Sequence, residues 1–155
     1  MELVFPDEGP IKAKELSYYL YYFSAAYTVA VNKYGDIPLE RVLSDIEYFA
    51  NDFRKALYEA GGRSNFELRN LFFSDLGENE LVFVKISKQS PLSLFGKGVV
   101  AAIVLSAIIS GGKVEGFGVK VEMRPIGEGI RLLKEAFKEY PEPSPDNHDA
   151  PTPGM

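Results

Sequence analysis

Apolar residues recur along the first part of the chain at a spacing typical of helices. Between residues 10 and 34, a stripe at a period near 3.6 predicts a first helix. A second helical pattern runs from residue 38 to about residue 60 and ends at a pair of glycines. Because only residues 35–37 separate the two patterns, we expect an antiparallel helical hairpin. The first stripe consists of Leu16, Tyr19, Leu20, Phe23, Tyr27 and Ala30.

Alternation between apolar and polar residues then predicts strands. Such runs lie at residues 1–5, at residues 81–87 and within residues 113–124, where one strand or two short ones fit. The run at residues 66–73 is ambiguous, but the turn residues that follow it favour a strand paired in a hairpin with residues 81–87. A last apolar stripe over residues 126–137 predicts a short C-terminal helix.

The most apolar part of the chain lies between two of these strand-like runs. Residues 92–110 predict a long helix, and no charged residue occurs between Gly98 and Ser110. Gly98, Ala102, Ser106 and Ser110 recur every fourth residue, and small residues at this spacing let another backbone approach closely. We expect protein to surround this helix, either in the core of the domain or at a contact with another subunit.

A membrane span is the alternative for residues 92–110. The hydrocarbon core of a bilayer is about 30 Å thick, and a helix needs about 20 apolar residues to cross it. The uncharged stretch is shorter than that. A span would also place the flanking strands on opposite sides of the membrane, where they could not share a sheet. Membrane association is therefore kept as an alternative but is not favoured.

These patterns predict an α+β fold. We expect an N-terminal helical hairpin, then a small sheet with the long apolar helix packed on it, and a short C-terminal helix. The length of 155 residues fits one domain, which we place at residues 1–140. Residues 141–155 are rich in proline and acidic residues and almost lack apolar ones, a composition typical of a disordered tail.

Composition narrows the classes of function. The net charge is -5, and no basic cluster is present, so we expect no binding to nucleic acid. The chain has no cysteine, which excludes disulfides, a thiolate nucleophile and cysteine-based zinc sites. The N-terminal residues are acidic where a signal peptide needs basic ones. We therefore expect a cytoplasmic protein.

Candidate catalytic residues are few. The single histidine, His148, lies in the proline-rich tail, away from the supporting partners that a catalytic base requires. The most closely spaced acidic residues interleave with basic ones in the second helical pattern, which favours a solvated face over a metal site. We therefore expect no enzymatic activity, no metal site and no cofactor. These acidic residues are Glu40, Asp45, Glu47 and Asp52.

Glycine clusters at residues 96–98, 111–112 and 127–129 lie near the ends of predicted helices. Backbone amides at a helix N-terminus bind anions, so a small-ligand or nucleotide-binding domain is one alternative function, with Lys97 or Lys113 near the anion. None of the clusters has the spacing of a phosphate-binding loop. Helix capping is the favoured interpretation.

Tyrosines are concentrated in the first helix, in numbers too large for one core to take them all. A tyrosine combines a large apolar ring with a hydroxyl that tolerates water, which suits a contact surface. We expect a non-enzymatic protein–protein interaction module that self-associates or binds a protein partner as a subunit of a larger assembly. A membrane-inserting effector or toxin-like subunit that uses residues 92–110 is the alternative. The expected interaction residues are Tyr18, Tyr19, Tyr22, Tyr27, Gly98, Ala102, Ser106 and Ser110.

Overall fold

The structure is a computed structural model that describes residues 1–7, 9–61, 65–87, 92–115 and 120–138. It contains helices and a mixed sheet, which confirms the predicted α+β class. The predicted tail at residues 141–155 lies outside the described residues. The helices are α1 (Ala13–Tyr34), α2 (Leu39–Ser44), α3 (Ile46–Gly61), α4 (Asn65–Phe72), α5 (Val100–Ile109) and α6 (Ile126–Lys138). The strands are β1 (Glu2–Val4), β2 (Val82–Ser87), β3 (Ser93–Lys97), β4 (Lys113–Glu115) and β5 (Lys120–Glu122).

The strands of the described chain form one sheet in the order β2-β3-β1-β5-β4. The central strand β1 is antiparallel to β3 and parallel to β5. Two antiparallel hairpins, β2 with β3 and β4 with β5, add the outer strands. Leu3 lies opposite Leu94 on one side and Val121 on the other, and all three are fully buried. This row of side chains marks the face of the sheet that the helices cover.

Helix α1 lies at the centre of the helical layer on that face. It packs against α3, α4, α5 and α6, and the ring of Tyr19 meets that of Phe5 edge-on at 5.2 Å. Residues 25–31 are buried without a break. Thr28, within that stretch, donates a hydrogen bond to the Leu71 carbonyl oxygen of α4 at 3.1 Å. The other helices therefore enclose this stretch of α1.

Helix α5 is the second core helix, since every residue from Ala101 to Ala107 is buried. It ends at Gly111, which adopts a left-handed conformation with φ of 93°. The N–H groups of Gly111 and Gly112 donate to the carbonyls of Ile108 and Ala107 at 2.9 and 2.8 Å. This pair of bonds is a Schellman motif. It supplies partners for carbonyls that the helix leaves unpaired and directs the chain into β4.

The apolar helix is shorter than predicted. Residues 93–97 form strand β3, and the helix begins only at Val100. The helical prediction for the start of the segment was wrong because β3 bonds to β1 on one side and to β2 on the other. Two neighbouring strands thus satisfy its backbone. Periodicity alone does not distinguish a buried strand from a buried helix in a short apolar run.

The predicted strand at residues 66–73 is also wrong, because this run forms helix α4. Leu68 is buried, and Leu71, three residues later, packs against the same core. Strand β2 takes its hairpin partner from β3 instead. The second predicted helix is divided into α2 and α3 because Asp45 has φ of -137° and ψ of 48°, which lies outside the helical region.

Among the described residues, no helix has both the length and the apolar content that crossing a membrane requires. Helix α5 has 10 residues. At 1.5 Å per residue it is therefore about 15 Å long.

Alanine at Gly112 tests the close packing at the end of α5. A Cβ atom there would lie 2.7 Å from the Val121 side chain and 2.8 Å from the Ala107 carbonyl oxygen, so the backbone would have to shift. We expect Gly112→Ala to lower the free energy of unfolding by about 1–3 kcal/mol, as overpacked core variants do. Urea denaturation measures this change.

Gly127, in the first turn of α6, is the matched control. A Cβ atom at this position would have nothing within 4 Å. Gly127→Ala should leave the free energy of unfolding unchanged or raise it by up to about 1 kcal/mol, because alanine is the better helix former. Equal losses of stability in the two variants would contradict the packing explanation.

Candidate protein-interaction surface

Two of the four small residues of the apolar segment, Gly98 and Ser110, lie beside tyrosines of α1. Ala102, Ser106 and Ser110 are fully buried, and α5 packs against α1. A Cβ atom at Gly98 would lie 2.5 Å from the hydroxyl oxygen of Tyr27, so only glycine permits the approach at this point. At Gly98 and Ser110 the neighbouring side chains belong to a helix of the same chain.

Two fully buried tyrosines of α1 set its position along α5. The Tyr27 hydroxyl accepts a hydrogen bond from the Val99 N–H at 2.8 Å and donates one to the Asn79 carbonyl at 2.6 Å. Burial raises the pKa of Tyr27, and the bond from Val99 offsets part of the rise. The Tyr19 hydroxyl lies 3.1 Å from Ser110 Oγ. Because Ser110 Oγ donates to a carbonyl of α5, Tyr19 is the donor in that pair.

Two of the predicted interaction residues, Tyr18 and Tyr22, reach the surface. Tyr18 is 49% exposed and Tyr22 is half-buried. Tyr19 and Tyr27 lie in the core together with the small residues of α5. In this conformation, Tyr18 and Tyr22 are therefore the tyrosines of this predicted set that a partner can reach.

Tyr18 and Tyr22 belong to a continuous group of rings that joins α1 to α4. Tyr21 meets Tyr22 edge-on at 5.3 Å and packs on Phe72 at 4.8 Å, and Phe72 meets Phe73 at 4.9 Å. Tyr18 lies one turn before Tyr22 on the same face of the helix. Phe73 is 68% exposed. We call these five residues the aromatic belt.

Three cations lie over rings of the aromatic belt, each 5.7 to 5.9 Å from a ring centre. This separation is typical of cation–π interactions. The ion pairs found between described residues involve other basic side chains. The positive charge over the belt is therefore available to carboxylates of a partner. The pairs are Lys14 with Tyr18, Lys134 with Tyr22, and Arg69 with Phe73.

A groove of about 400 Å³ runs along the exposed side of α6. It begins at Gly127 and ends at Lys138, and Lys134 in its lining also lies over the Tyr22 ring of the aromatic belt. Arg131 in the same lining is paired with Glu135 at 2.9 Å. The groove therefore adjoins the belt at Lys134, and its lining residues carry a net positive charge.

Only part of the aromatic belt is predicted from the sequence. The strand predicted at residues 66–73 does not place Phe72 and Phe73 beside α1. Two signals in the sequence indicate the helix that does. Leu68 and Phe72 have the four-residue spacing of a helical stripe, and Arg69 precedes Phe73 by four residues, which places its guanidinium over the ring.

One of the acidic residues considered for a metal site, Asp52, has a structural role. Asp52 accepts a hydrogen bond from the Tyr34 hydroxyl and pairs with Lys33 at 3.0 Å. Burial alone would raise the pKa of Asp52, but its bonds to these two residues lower it. Asp52 therefore joins α3 to the end of α1. The lysines considered for an anion, Lys97 and Lys113, are exposed.

In the part of the chain that the structure describes, no three acidic or histidine side chains are placed to hold a metal ion together. His148 lies outside that part. No protein-family model, curated protein or solved structure matches this chain.

Phenylalanine at Tyr27 tests the pair of hydrogen bonds that ties α1 to α5. Tyr27→Phe leaves the Val99 N–H and the Asn79 carbonyl without this partner, so we expect a loss of about 1–3 kcal/mol in the free energy of unfolding. Ser106→Ala is the control, because the Ser106 hydroxyl is buried without a hydrogen-bond partner among the described residues. Its removal should be neutral or stabilising by up to about 1 kcal/mol. Equal losses in the two variants would contradict this assignment.

The stability of the protein should fall in alkaline solution. Burial raises the pKa of Tyr19 far above its ordinary value. An unfolded tyrosine loses its proton near pH 10, whereas folded Tyr19 keeps it. The contribution of Tyr19 is therefore complete below about pH 10 and is lost as the pH rises further.

The melting temperature, followed from about pH 9 to about pH 11, measures this effect. We expect the decrease to be shallower in Tyr19→Phe, which cannot ionise at this position. Parallel profiles for the variant and the unaltered protein would show that Tyr19 is not the group responsible.

Proposed function

We propose that the chain is a non-enzymatic protein–protein interaction module that associates with a second copy of itself. The observation that supports this proposal is the aromatic belt, a group of surface rings under three cations that form no ion pair with described residues. Aromatic and arginine side chains are the residues that most often dominate the energy of protein interfaces. The belt consists of aromatic residues, and the arginine Arg69 lies over one of its rings.

The proposed occupant of the belt is the segment at residues 139–155 of the second copy. This segment contains five prolines and four acidic residues, and neither lysine nor arginine. Proline-rich segments adopt an extended conformation at low entropic cost and dock on surfaces lined by aromatic rings. Its carboxylates complement the cations over the belt, which favours this partner over a basic or neutral one.

The length of the segment permits exchange between two copies. It begins directly after Lys138, at the end of the groove on α6. Its 17 residues, counted from 139 to 155, reach at most about 60 Å when extended. Since each copy carries one belt and one segment, two copies exchanging segments form a closed two-fold dimer.

Light scattering coupled to size-exclusion chromatography, at several protein concentrations, tests self-association. We expect a dimer that Phe73→Ala weakens at least tenfold, because truncation of a central aromatic costs more than about 1.4 kcal/mol in many interfaces. Tyr48→Ala is the matched control. Tyr48 is an aromatic residue of comparable exposure, 60% against 68% for Phe73, but it lies on α3 outside the belt.

A full-length variant in which Glu139, Glu142, Asp146 and Asp149 are replaced by their amides tests the occupant. It should dissociate as the Phe73→Ala variant does, and rising salt should weaken the dimer of the unaltered protein. A monomer at every concentration would refute self-association. A dimer that survives the amide replacements would refute the segment as its occupant.

A further inference from the structure

A second groove, of about 310 Å³, lies where α3 faces the end of α5. Its apolar lining comes from Ile46 and Ala50 of α3 and Ile108 of α5. Arg54 follows Ile46 and Ala50 at intervals of four residues, so the three share one face of α3. The groove therefore combines an apolar wall with one guanidinium group. The residues that line it are Ile46, Glu47, Ala50, Asn51, Arg54 and Ile108.

Arg54 is half-buried and has little to compensate its charge. A guanidinium group has five N–H donors, and the hydrogen bond of Arg54 in the described chain is one of 3.3 Å to the neutral amide oxygen of Asn51. Two exposed arginines are different. Arg124, just before α6, and Arg131, within α6, each pair with a carboxylate at 2.9 Å. Arg54 is thus more buried than Arg124 and Arg131 but less well paired than either.

Partial removal of a cation from water is costly unless an anion replaces the lost hydration. Desolvation lowers the pKa of Arg54, which agrees with a charge that no described neighbour stabilises. A carboxylate would supply the missing partner, since the planar guanidinium binds it through two parallel hydrogen bonds. The apolar lining indicates the rest of the ligand, because binding sites for small molecules combine apolar walls with a few placed polar groups.

We propose that this groove binds a small monocarboxylate with an apolar body. The carboxylate pairs with Arg54, and the body lies along Ile46, Ala50 and Ile108. Glu47 lines the same groove two helical turns from Arg54, about 10 Å along the axis. Its negative charge fixes the orientation of the ligand, since a second anionic group at that end would be repelled.

Titration with hexanoate, followed by backbone amide NMR of the full-length protein, tests the site. We expect shifts at residues of α3 and at the end of α5, with a dissociation constant on the order of 1 mM for a ligand of this size. Hexanol has the same apolar body without the charge. It should bind at least tenfold more weakly.

Arg54→Met keeps an apolar stem and removes the charge, so hexanoate binding should weaken at least tenfold. Its melting temperature should equal or exceed that of the unaltered protein, because an uncompensated, half-buried cation is removed. Lys55→Met, at the exposed neighbouring position, is the control and should leave hexanoate binding unchanged. Arg54→Lys keeps the charge without the planar pair of donors, and its affinity should lie between those of the other two variants.

Three outcomes would overturn the proposal. Equal binding of hexanol and hexanoate would show that the groove recognises only apolar surface. Unchanged hexanoate binding in Arg54→Met would show that the anion lies elsewhere. Loss of folding in Arg54→Met would show that the guanidinium has a structural role instead.

Discussion

The contact between α5 and α1 is the constraint on which the rest of the fold depends. Helix α5 carries no charged residue, so its whole circumference has to be enclosed. Gly98 allows the hydroxyl of Tyr27 to reach the start of α5, and the hydroxyl of Tyr19 forms a hydrogen bond with Ser110 at the other end. A shift of one helical turn between the two helices would leave both hydroxyls buried without these partners, at a cost of about 1–3 kcal/mol each. The contact therefore fixes the register of the helices as well as their burial.

The same contact explains why only part of α1 is open to other molecules. Residues 25–31, which make up most of its second half, are buried throughout. The first half has neighbours on fewer sides, so Tyr18, Tyr21 and Tyr22 meet solvent on one flank. Helix α4 covers the junction between the two halves and adds its phenylalanines to the exposed rings. One helix thus serves the core along one stretch and the surface along another.

The sequence predicted the fold class and the first helix, because each depends on a local pattern. It failed where tertiary hydrogen bonding decided the outcome. Residues 93–97 have no local pattern that distinguishes a strand from a helix, and their position between β1 and β2 makes them a strand. The aromatic belt was missed for a related reason, since its phenylalanines join the tyrosines only after α4 packs on α1. The groove at Arg54 likewise depends on Ile108 of α5, which is distant in sequence.

The place of β1 at the middle of the sheet bears on how the protein is made. This strand is synthesised before every other described element. Its two neighbours, β3 and β5, follow about 90 and about 120 residues later. Contacts of such long separation in sequence slow folding, because the intervening loop must close first. The helices α1 to α4 are synthesised during that interval and can assemble locally. The central strand of the nascent chain therefore stays without its partner strands at first. The sheet forms only after β3 and β5 have been translated.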